Sequence, residues 1–400
     1  MDAPRILIYS HDTYGLGHLR RCLRIASRLS ELPMGPRILI ASGSARADSF
    51  ALPPRTDVVK LPCIEKVGDG IYAAKRLGLP LEMVKRVREG LIRTTVETFQ
   101  PDLFLVDHAP AGADGELGAC LRYMAERPDR PVLFLGLRDI IDSCKKVSAE
   151  WTRLGAWEHV KGTYDRVLVY GDPSILTTAE ELGLPEMLAG RIRFTGYVAP
   201  RPPLVVRGGK QGRVVVMLGG GADGKETAEA FVKALKLLGH PLVSPPVLLL
   251  GPFFPTEEAE AIFDLARASA VSIEVRRFDP DVRALLETSP KLVAMGGYNS
   301  VMEMLSLKRP TLLVPRSWPR EEQLIRAERL TERVPFIHLA YQNADLPERM
   351  VEFLRGGTPA GSETAAKGPD LLGLDAIAEE VEVALKARLR GKAQHASRRA

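Results

Sequence analysis

Long apolar runs are missing from this 400-residue chain. No stretch approaches the roughly 18 residues of unbroken hydrophobicity that a membrane-spanning helix needs, which excludes a helical integral membrane protein. Cysteine is scarce as well. Cys22, Cys63, Cys120 and Cys144 are widely spaced and form no C-x-x-C pair, so neither a zinc site nor a disulfide framework is indicated. A signal-like opening is also lacking: Arg5-Ile-Leu-Ile-Tyr-Ser10 is too short and polar residues follow at once, so a cytoplasmic location is expected. Acidic residues are absent after Glu382, where Lys386, Arg388, Arg390, Lys392, Arg398 and Arg399 remain. Taking those six charges from the formal +5 leaves −1 for the body. A near-neutral body argues against specific nucleic-acid binding, and residues 387–400 read as a disordered basic tail.

What remains is ordinary globular composition, 45% hydrophobic and 26% charged, at a length that suits two large domains. Short apolar runs recur, each followed by a helical pattern. In the first half they are Ile6–Tyr9, Ile38–Ile40, Val58–Leu61, Leu103–Val106, Val132–Leu135 and Val167–Val169. In the second they are Val214–Leu218, Val247–Leu250, Ile273–Val275, Leu292–Ala294, Leu312–Val314 and Phe336–Leu339. Continuous β-branched and leucine runs of this kind are buried parallel strands, and strands alternating with helices make right-handed βαβ units. The expected fold class is therefore α/β, with two doubly wound, Rossmann-like domains facing each other across a cleft. Ala199-Pro-Arg-Pro-Pro203 and Gly208–Gly212 mark a linker between them. The expected division is 1–200, 201–345, a helical extension over 346–386 ending in an amphipathic helix from Leu374 to Lys386, and the tail.

Ligands bind doubly wound sheets beyond the strand C-termini, so chemistry is sought there. Strand one runs into His11-Asp-Thr-Tyr-Gly-Leu-Gly-His18, and Gly15 and Gly17 nearly complete a dinucleotide fingerprint whose third glycine is Arg20. The second strand lacks the acid that an NAD ribose wants, although Arg46 keeps an NADP reading open. His18 opens a helix, where a neutral imidazole suits general-base work. Asp107 ends the fourth run, where it could orient an imidazole. In the second half, Gly219-Gly-Gly-Ala-Asp-Gly224 lets backbone N–H groups approach a phosphate. Met295-Gly-Gly-Tyr-Asn-Ser300 precedes a helix carrying Glu303. Ser300 and Glu303 fit either a capping box or a diphosphate-and-ribose site. Glu322 and Gln323 begin a further helix and suit sugar hydroxyls, with Arg316 a candidate partner for a leaving group. Asp279-Pro-Asp281 has the D-x-D form of a metal signature but reads as a helix start, and no metal is assigned.

Taken together, these residues resemble the two-domain GT-B glycosyltransferases. The likeness is to the branch of glycosyltransferase family 28 that holds the peptidoglycan N-acetylglucosaminyltransferase and the monogalactosyldiacylglycerol synthases. More narrowly, the chain is similar to bacterial glycosyltransferases with a G-L-G-H-L-R-R opening. The likeness spans roughly 5–345 and is strongest over Phe278–Ala327. It implies the following roles. Gly15, Gly17 and His18 match the first loop, which faces acceptor and diphosphate, and Gly219, Gly220, Gly221 and Ala222 match the turn at the donor phosphates. Phe278 matches the segment whose backbone holds uracil, and Gly297, Asn299 and Ser300 match the turn at the α- and β-phosphates. Glu303 matches the acid on the ribose, and Glu322 and Gln323 match the pair that reads the sugar. Two departures stand out: Leu19-Arg20-Arg21 follows His18, and Arg326-Ala327 stands where the family has Asn-Ala. The sugar identity and the peptidoglycan role are therefore not carried over.

The activity so implied is inverting, metal-independent and cofactor-free transfer from a nucleotide diphosphate sugar, a UDP-sugar by the family pattern. The acceptor is a hydroxyl compound of lipid or polysaccharide type, deprotonated by His18, Asp107 or Asp139. Two alternatives share the architecture: a non-catalytic nucleotide-sugar binder and a non-hydrolysing UDP-sugar 2-epimerase. Residues 75–93 combine Lys75, Arg76, Lys85, Arg86, Arg88 and Arg93 with an apolar stripe of Val84, Val87, Leu91 and Ile92. That pattern fits a helix packed on its sheet with a solvated basic face, or a peripheral surface for the inner face of an anionic membrane.

Overall fold

The computed structural model of the chain describes residues 3–12, 16–68, 71–175, 177–201, 212–279, 282–318, 320–356 and 368–399. Gly15, Asp281 and most of the expected linker lie outside the described residues. The chain forms two units: residues up to Val198 together with the segment from Asp370 onward, and residues Ala199–Pro369.

The first unit is built on a parallel sheet. Its strands are β1 (Arg5–Ser10), β2 (Arg37–Ser42), β3 (Thr56–Lys60), β6 (Leu103–Asp107), β7 (Val132–Arg138), β8 (Arg166–Tyr170) and β9 (Ile192–Phe194), with the hairpin β4 (Ile64–Gly68) and β5 (Ile71–Ala74) set apart from it. The order β3-β2-β1-β6-β7-β8-β9 reverses between β1 and β6. Its helices are α1 (Gly17–Ser30), α2 (Leu81–Phe99), α3 (Gly118–Ala125), α4 (Cys144–Arg153), α5 (Ala156–Gly162), α6 (Thr178–Glu181) and α7 (Leu184–Met187). Leu7, Phe104, Val106, Leu135 and Val169 are buried between sheet and helices, which is why these strands read as unbroken apolar runs.

Among the described residues the second unit has six parallel strands: β10 (Val215–Met217), β11 (Val247–Leu249), β12 (Glu274–Arg276), β13 (Leu292–Ala294), β14 (Thr311–Leu313) and β15 (Ile337–Leu339). Their order is β12-β11-β10-β13-β14-β15, reversing between β10 and β13. Helices α8 (Lys225–Leu238), α9 (Thr256–Ala268), α10 (Val282–Thr288), α11 (Tyr298–Leu307), α12 (Glu322–Arg333) and α13 (Leu346–Arg355) complete it. Leu346 and Met350 of α13 join the core of this unit with Phe231 and Leu235 of α8, so α13 is part of the second unit rather than of an extension.

The last helix, α14 (Gly373–Arg399), belongs to the first unit. Ile377, Val381 and Leu385 are buried, Arg28 donates to Asp375 at 2.6 Å, and Arg193 holds Glu379 and Glu380 at 2.7 Å. The helix does not stop at Lys386. The segment expected as a disordered tail is helical, and two of its charges have partners: Lys392 pairs with Asp102, and Arg388 donates to the Asp129 carbonyl.

Helix α2 also departs from its sequence reading. Its apolar stripe divides, with Val84 and Ile92 buried while Met83, Val87 and Leu91 stay exposed. Arg88, expected on the solvated face, is fully buried against Glu116.

Candidate functional site

In the first sheet, His11 and Asp12 follow β1, and α1 begins at Gly17 with no side-chain cap. Asp12 serves the helix start from a distance in sequence. Its Oδ1 accepts from the Leu19 N–H at 3.1 Å and its Oδ2 from Ser42 Oγ at 2.6 Å. This buried carboxylate thus ties β1, the end of β2 and α1 together; burial raises its pKa, against the pull of its hydroxyl bonds.

His18 Nδ1 lies 2.7 Å from Asp107 Oδ2, across the point where the strand order reverses. Arg21, one turn along α1, reaches the same carboxylate with two bonds: Nε to Oδ1 at 2.8 Å and Nη2 to Oδ2 at 2.7 Å. Such fork-like pairs are strong and hold their geometry. Burial alone would raise the pKa of Asp107, but Arg21 first, then His18, outweigh it and hold the carboxyl well below its usual range. His18 is pushed down to about 4 by burial, with Arg21 and Arg138 adding to the fall and Asp107 opposing it. With Nδ1 facing a carboxylate, that nitrogen carries the proton and Nε2 is left as an acceptor.

Two more imidazoles surround this pair. His11 and His108 lie 5.2 and 5.0 Å from the His18 ring, centroid to centroid. His108 has a left-handed backbone, φ 70°, and its Nε2 is 3.3 Å from Arg138. Burial followed by Arg138 drives its pKa well below the usual histidine range. Asp139 is buried one strand further on, at the end of β7, where its carbonyl accepts from Thr178 N–H at 2.8 Å. The structure therefore brings His18 and Asp107 into contact, with Asp139 at the neighbouring strand end.

In the second sheet the loop after β10 turns sharply. Gly219 and Gly221 have φ of 65° and 91°, and a Cβ on Gly221 would lie 2.3 Å from the Leu250 carbonyl oxygen, so only glycine fits there. Gly220 is exposed beside them. A Cβ on Gly219 would stand 3.7 Å from Ser300 Oγ, which puts this turn beside the first turn of α11. Gly297 is the N-cap of α11 and supplies no side-chain bond, so the helix start presents backbone N–H groups. Because the helix begins at Tyr298, Ser300 is its third residue and Glu303 its sixth. The capping-box alternative is thereby removed, and Glu303 is left buried on the second turn. Asn299 and Ser300 lie on the first.

Arg326, at the departure from the family pattern, is buried, donates to the Gly296 carbonyl at 2.9 Å and lies over the Tyr298 ring. It braces the turn from α12. Gln323 closes on the same turn, since a Cβ on Gly296 would meet its carbonyl at 2.7 Å. Glu322 accepts from Arg316 Nη2 at 2.8 Å, and Nε of the same guanidinium pairs with Asp223 in the β10 loop. Arg316 thus links both loops rather than standing ready for a leaving group. Gly219, Gly220, Gly221, Gly297, Asn299, Ser300, Glu322 and Gln323 cluster where the strand order reverses. Phe278, half exposed beyond β12, sits at the edge of the sheet, with β11 and β10 between its strand and β13. Asp279 pairs with Arg276, which commits the first acid of the D-x-D triplet.

Sequence reasoning passed over Asp12, Arg21, His11 and His108 as site residues. Arg21 was legible as the residue three beyond His18, a spacing that puts both on one helix face. Asp12 lies inside the first loop and His108 directly after Asp107, but neither carries a sequence signal of its own.

No family model and no curated protein sequence matches the chain. Solved structures do. The chain is similar to MurG of Acinetobacter baumannii (14% identity, 96% of this chain and 95% of that one covered, TM-score 0.55). It is similar to a transferase of Siraitia grosvenorii in complex with UDP (14%, 96% and 94%, TM-score 0.58). It is also similar to a protein assigned as a UDP-N-acetylglucosamine 2-epimerase from Listeria monocytogenes (13%, 97% and 97%, TM-score 0.61). The fold is that of the GT-B glycosyltransferases: two Rossmann-like halves, each with a parallel sheet.

Proposed function

We propose that the chain is an inverting glycosyltransferase that moves a sugar from a nucleotide diphosphate, in the first instance UDP, to a hydroxyl acceptor. The observation that carries this reading is the His18–Asp107 contact at the switch point of the first sheet. His18 Nε2 takes the proton of the acceptor hydroxyl. The hydroxyl oxygen forms a bond to the anomeric carbon, the bond from that carbon to the diphosphate oxygen breaks, and the nucleotide diphosphate leaves with the electron pair. Its growing charge falls to the N–H groups of Gly219–Gly221 and of the start of α11, preorganised dipoles of the kind that stabilise such charge. Glu303 accepts from the ribose hydroxyls, Glu322 and Gln323 read the sugar, and Phe278 lies in the segment toward the base.

A thermal-shift screen against UDP-, GDP- and dTDP-sugars tests the donor. UDP-sugars are expected to raise the melting temperature, and Glu303→Ala to abolish that rise while leaving the unliganded melt close to wild type. A lower basal melt with the rise intact would reduce Glu303 to a support of its helix. The solved structure assigned as an epimerase keeps a second reading in view. An epimerase would interconvert UDP-sugar epimers without acceptor, and a non-catalytic binder would take UDP yet turn over nothing.

For the acceptor we infer a lipid at an anionic membrane surface, with the chain acting from the inner face. The support is the exposed stripe Met83, Val87 and Leu91 on α2, flanked by exposed Leu77, Leu79 and Arg86. Among the described residues no helix is long and apolar enough to cross a membrane. Lys85 pairs with Asp114 and Arg88 with Glu116, so the apolar stripe is the part to change. Replacing Met83, Val87 and Leu91 together by serine is expected to weaken binding to anionic liposomes at least about tenfold with the fold intact. Unchanged binding would overturn this surface.

A further inference from the structure

We propose that Arg21 is a positioning residue for the His18 base, holding both oxygens of Asp107 so that the carboxylate fixes the ring with Nε2 as proton acceptor. The inference rests on the transferase reading for its purpose, but its geometry stands apart from it. Arg21 is 1% exposed, donates twice to Asp107, and lies with its guanidinium 5.8 Å from the centre of the Tyr170 ring. Its Nη2 is also 2.9 Å from His18 Nδ1. Nη2 already donates to Asp107, and Nδ1 donates to the same oxygen, so the Arg21–His18 approach sets a cation against an N–H.

A carboxylate paired with an imidazole alone stabilises the imidazolium strongly, as in a catalytic triad. Here the charge of Asp107 is already met by Arg21. Asp107 orients the ring and still favours its protonation, but burial outweighs that pull and the Arg21 charge opposes it. The other groups of the cluster act in the same direction or only weakly against it. His11 and Asp12 come from the segment after β1, His108 from the end of β6, and Arg138 and Asp139 from the end of β7. Of these Arg138 adds repulsion to a charged His18 ring. The base is thereby kept unprotonated and correctly turned, at some cost in basicity. Arg21 touches no reacting atom; it acts through Asp107.

The test is an NMR titration of the imidazole carbons of the full chain, with the His18 signal assigned from His18→Asn. The wild-type midpoint is expected at about 4. Arg21→Gln is expected to raise it by about two pH units, and Arg21→Lys, a point charge without the fork, by a smaller amount. The acid limb of sugar transfer should move with it. An unmoved midpoint in folded Arg21→Gln overturns the proposal. If that variant does not fold, Arg21→Lys decides, and an unmoved midpoint there overturns it equally. The titration needs no turnover, so a midpoint that shifts in a chain that transfers no sugar counts against the transferase reading and not against the role of Arg21.

Discussion

Replacing His18 by alanine is expected to cut sugar transfer by about 10²- to 10⁴-fold, the usual contribution of a placed general base, while the UDP-dependent thermal shift stays as in wild type. The separation follows from the architecture. His18 sits in the first unit with Asp107, whereas the glycine turns that would hold the diphosphate belong to the second. A loss of UDP binding in the same variant would sink the assignment of His18 to proton transfer. Asp107→Asn should also be slow, because an amide can turn its NH2 toward Nδ1 and favour the wrong tautomer. The pH dependence has a definite sign. The folded ring titrates at about 4, against about 6.5 for an unperturbed histidine. Activity should therefore hold as pH falls through 6.5 and decline only toward 4. Stability follows the same window: below 6.5 the unfolded chain takes up the proton first, so the fold loses stability as pH drops toward 4. A denaturant midpoint that is flat from pH 7 to 4.5, or an activity that halves at 6.5, would contradict a buried, neutral His18.

The strands that carry sites were legible because both faces of each sheet are covered. Ile6–Tyr9 and Leu292–Ala294 had to be apolar throughout, and such runs announce themselves. β9 was not legible. It is an edge strand of three partly buried residues, Ile192-Arg193-Phe194, with a charge in its middle that bonds α14. The β4–β5 hairpin escaped for a similar reason: Ile64 and Tyr72 are buried but Val67 and Ile71 are exposed, so no unbroken apolar run marks it. Charged residues were the harder problem. Arg88 and Arg21 look like surface cations in the sequence, since an arginine signals its burial only through a partner 28 or 86 positions away. The same holds for Lys392 and Arg388, whose partners lie far back in the chain. Site chemistry at strand ends could be located from topology, but which acid meets which base depended on side chains that only the fold brings together.

Truncating Glu116 is expected to cost the first unit about 3 to 5 kcal/mol, on the order of 10 °C in its melt, although no reacting group is touched. The reason is a network built on three side chains, Tyr9, Arg88 and Glu116, that have no exposure at all. Arg88 donates from Nε and Nη2 to the two oxygens of Glu116, and from Nη1 to the Pro62 carbonyl at 2.6 Å. Tyr9 donates its hydroxyl to Glu116 and accepts from the Ala113 N–H at 2.9 Å. Burial, then Glu116, raises the pKa of Tyr9 far above its usual value, so the phenol stays protonated as a donor. Removing the carboxylate in Glu116→Ala strands the Arg88 charge in a closed interior, and that unpaired charge is the main source of the loss. Glu116→Gln separates charge from shape: the amide retains one acceptor oxygen and nearly the same volume, yet it leaves Arg88 uncompensated, so its loss should approach that of alanine. Arg88→Met with Glu116→Leu removes both charges and should recover most of the stability. Recovery is incomplete because the Tyr9 hydroxyl then keeps its acceptor role but loses its own acceptor, at about 1 to 3 kcal/mol. A melt of Glu116→Gln within about 2 °C of wild type would show that the charge is screened after all. The consequence reaches the site, because residues 108 to 113 connect Asp107 to the segment that Tyr9 and Glu116 hold. Loss of this anchor should loosen His108 and the Asp107 end of the His18 pair, so Glu116→Gln is expected to lower transfer at temperatures where the protein is still folded.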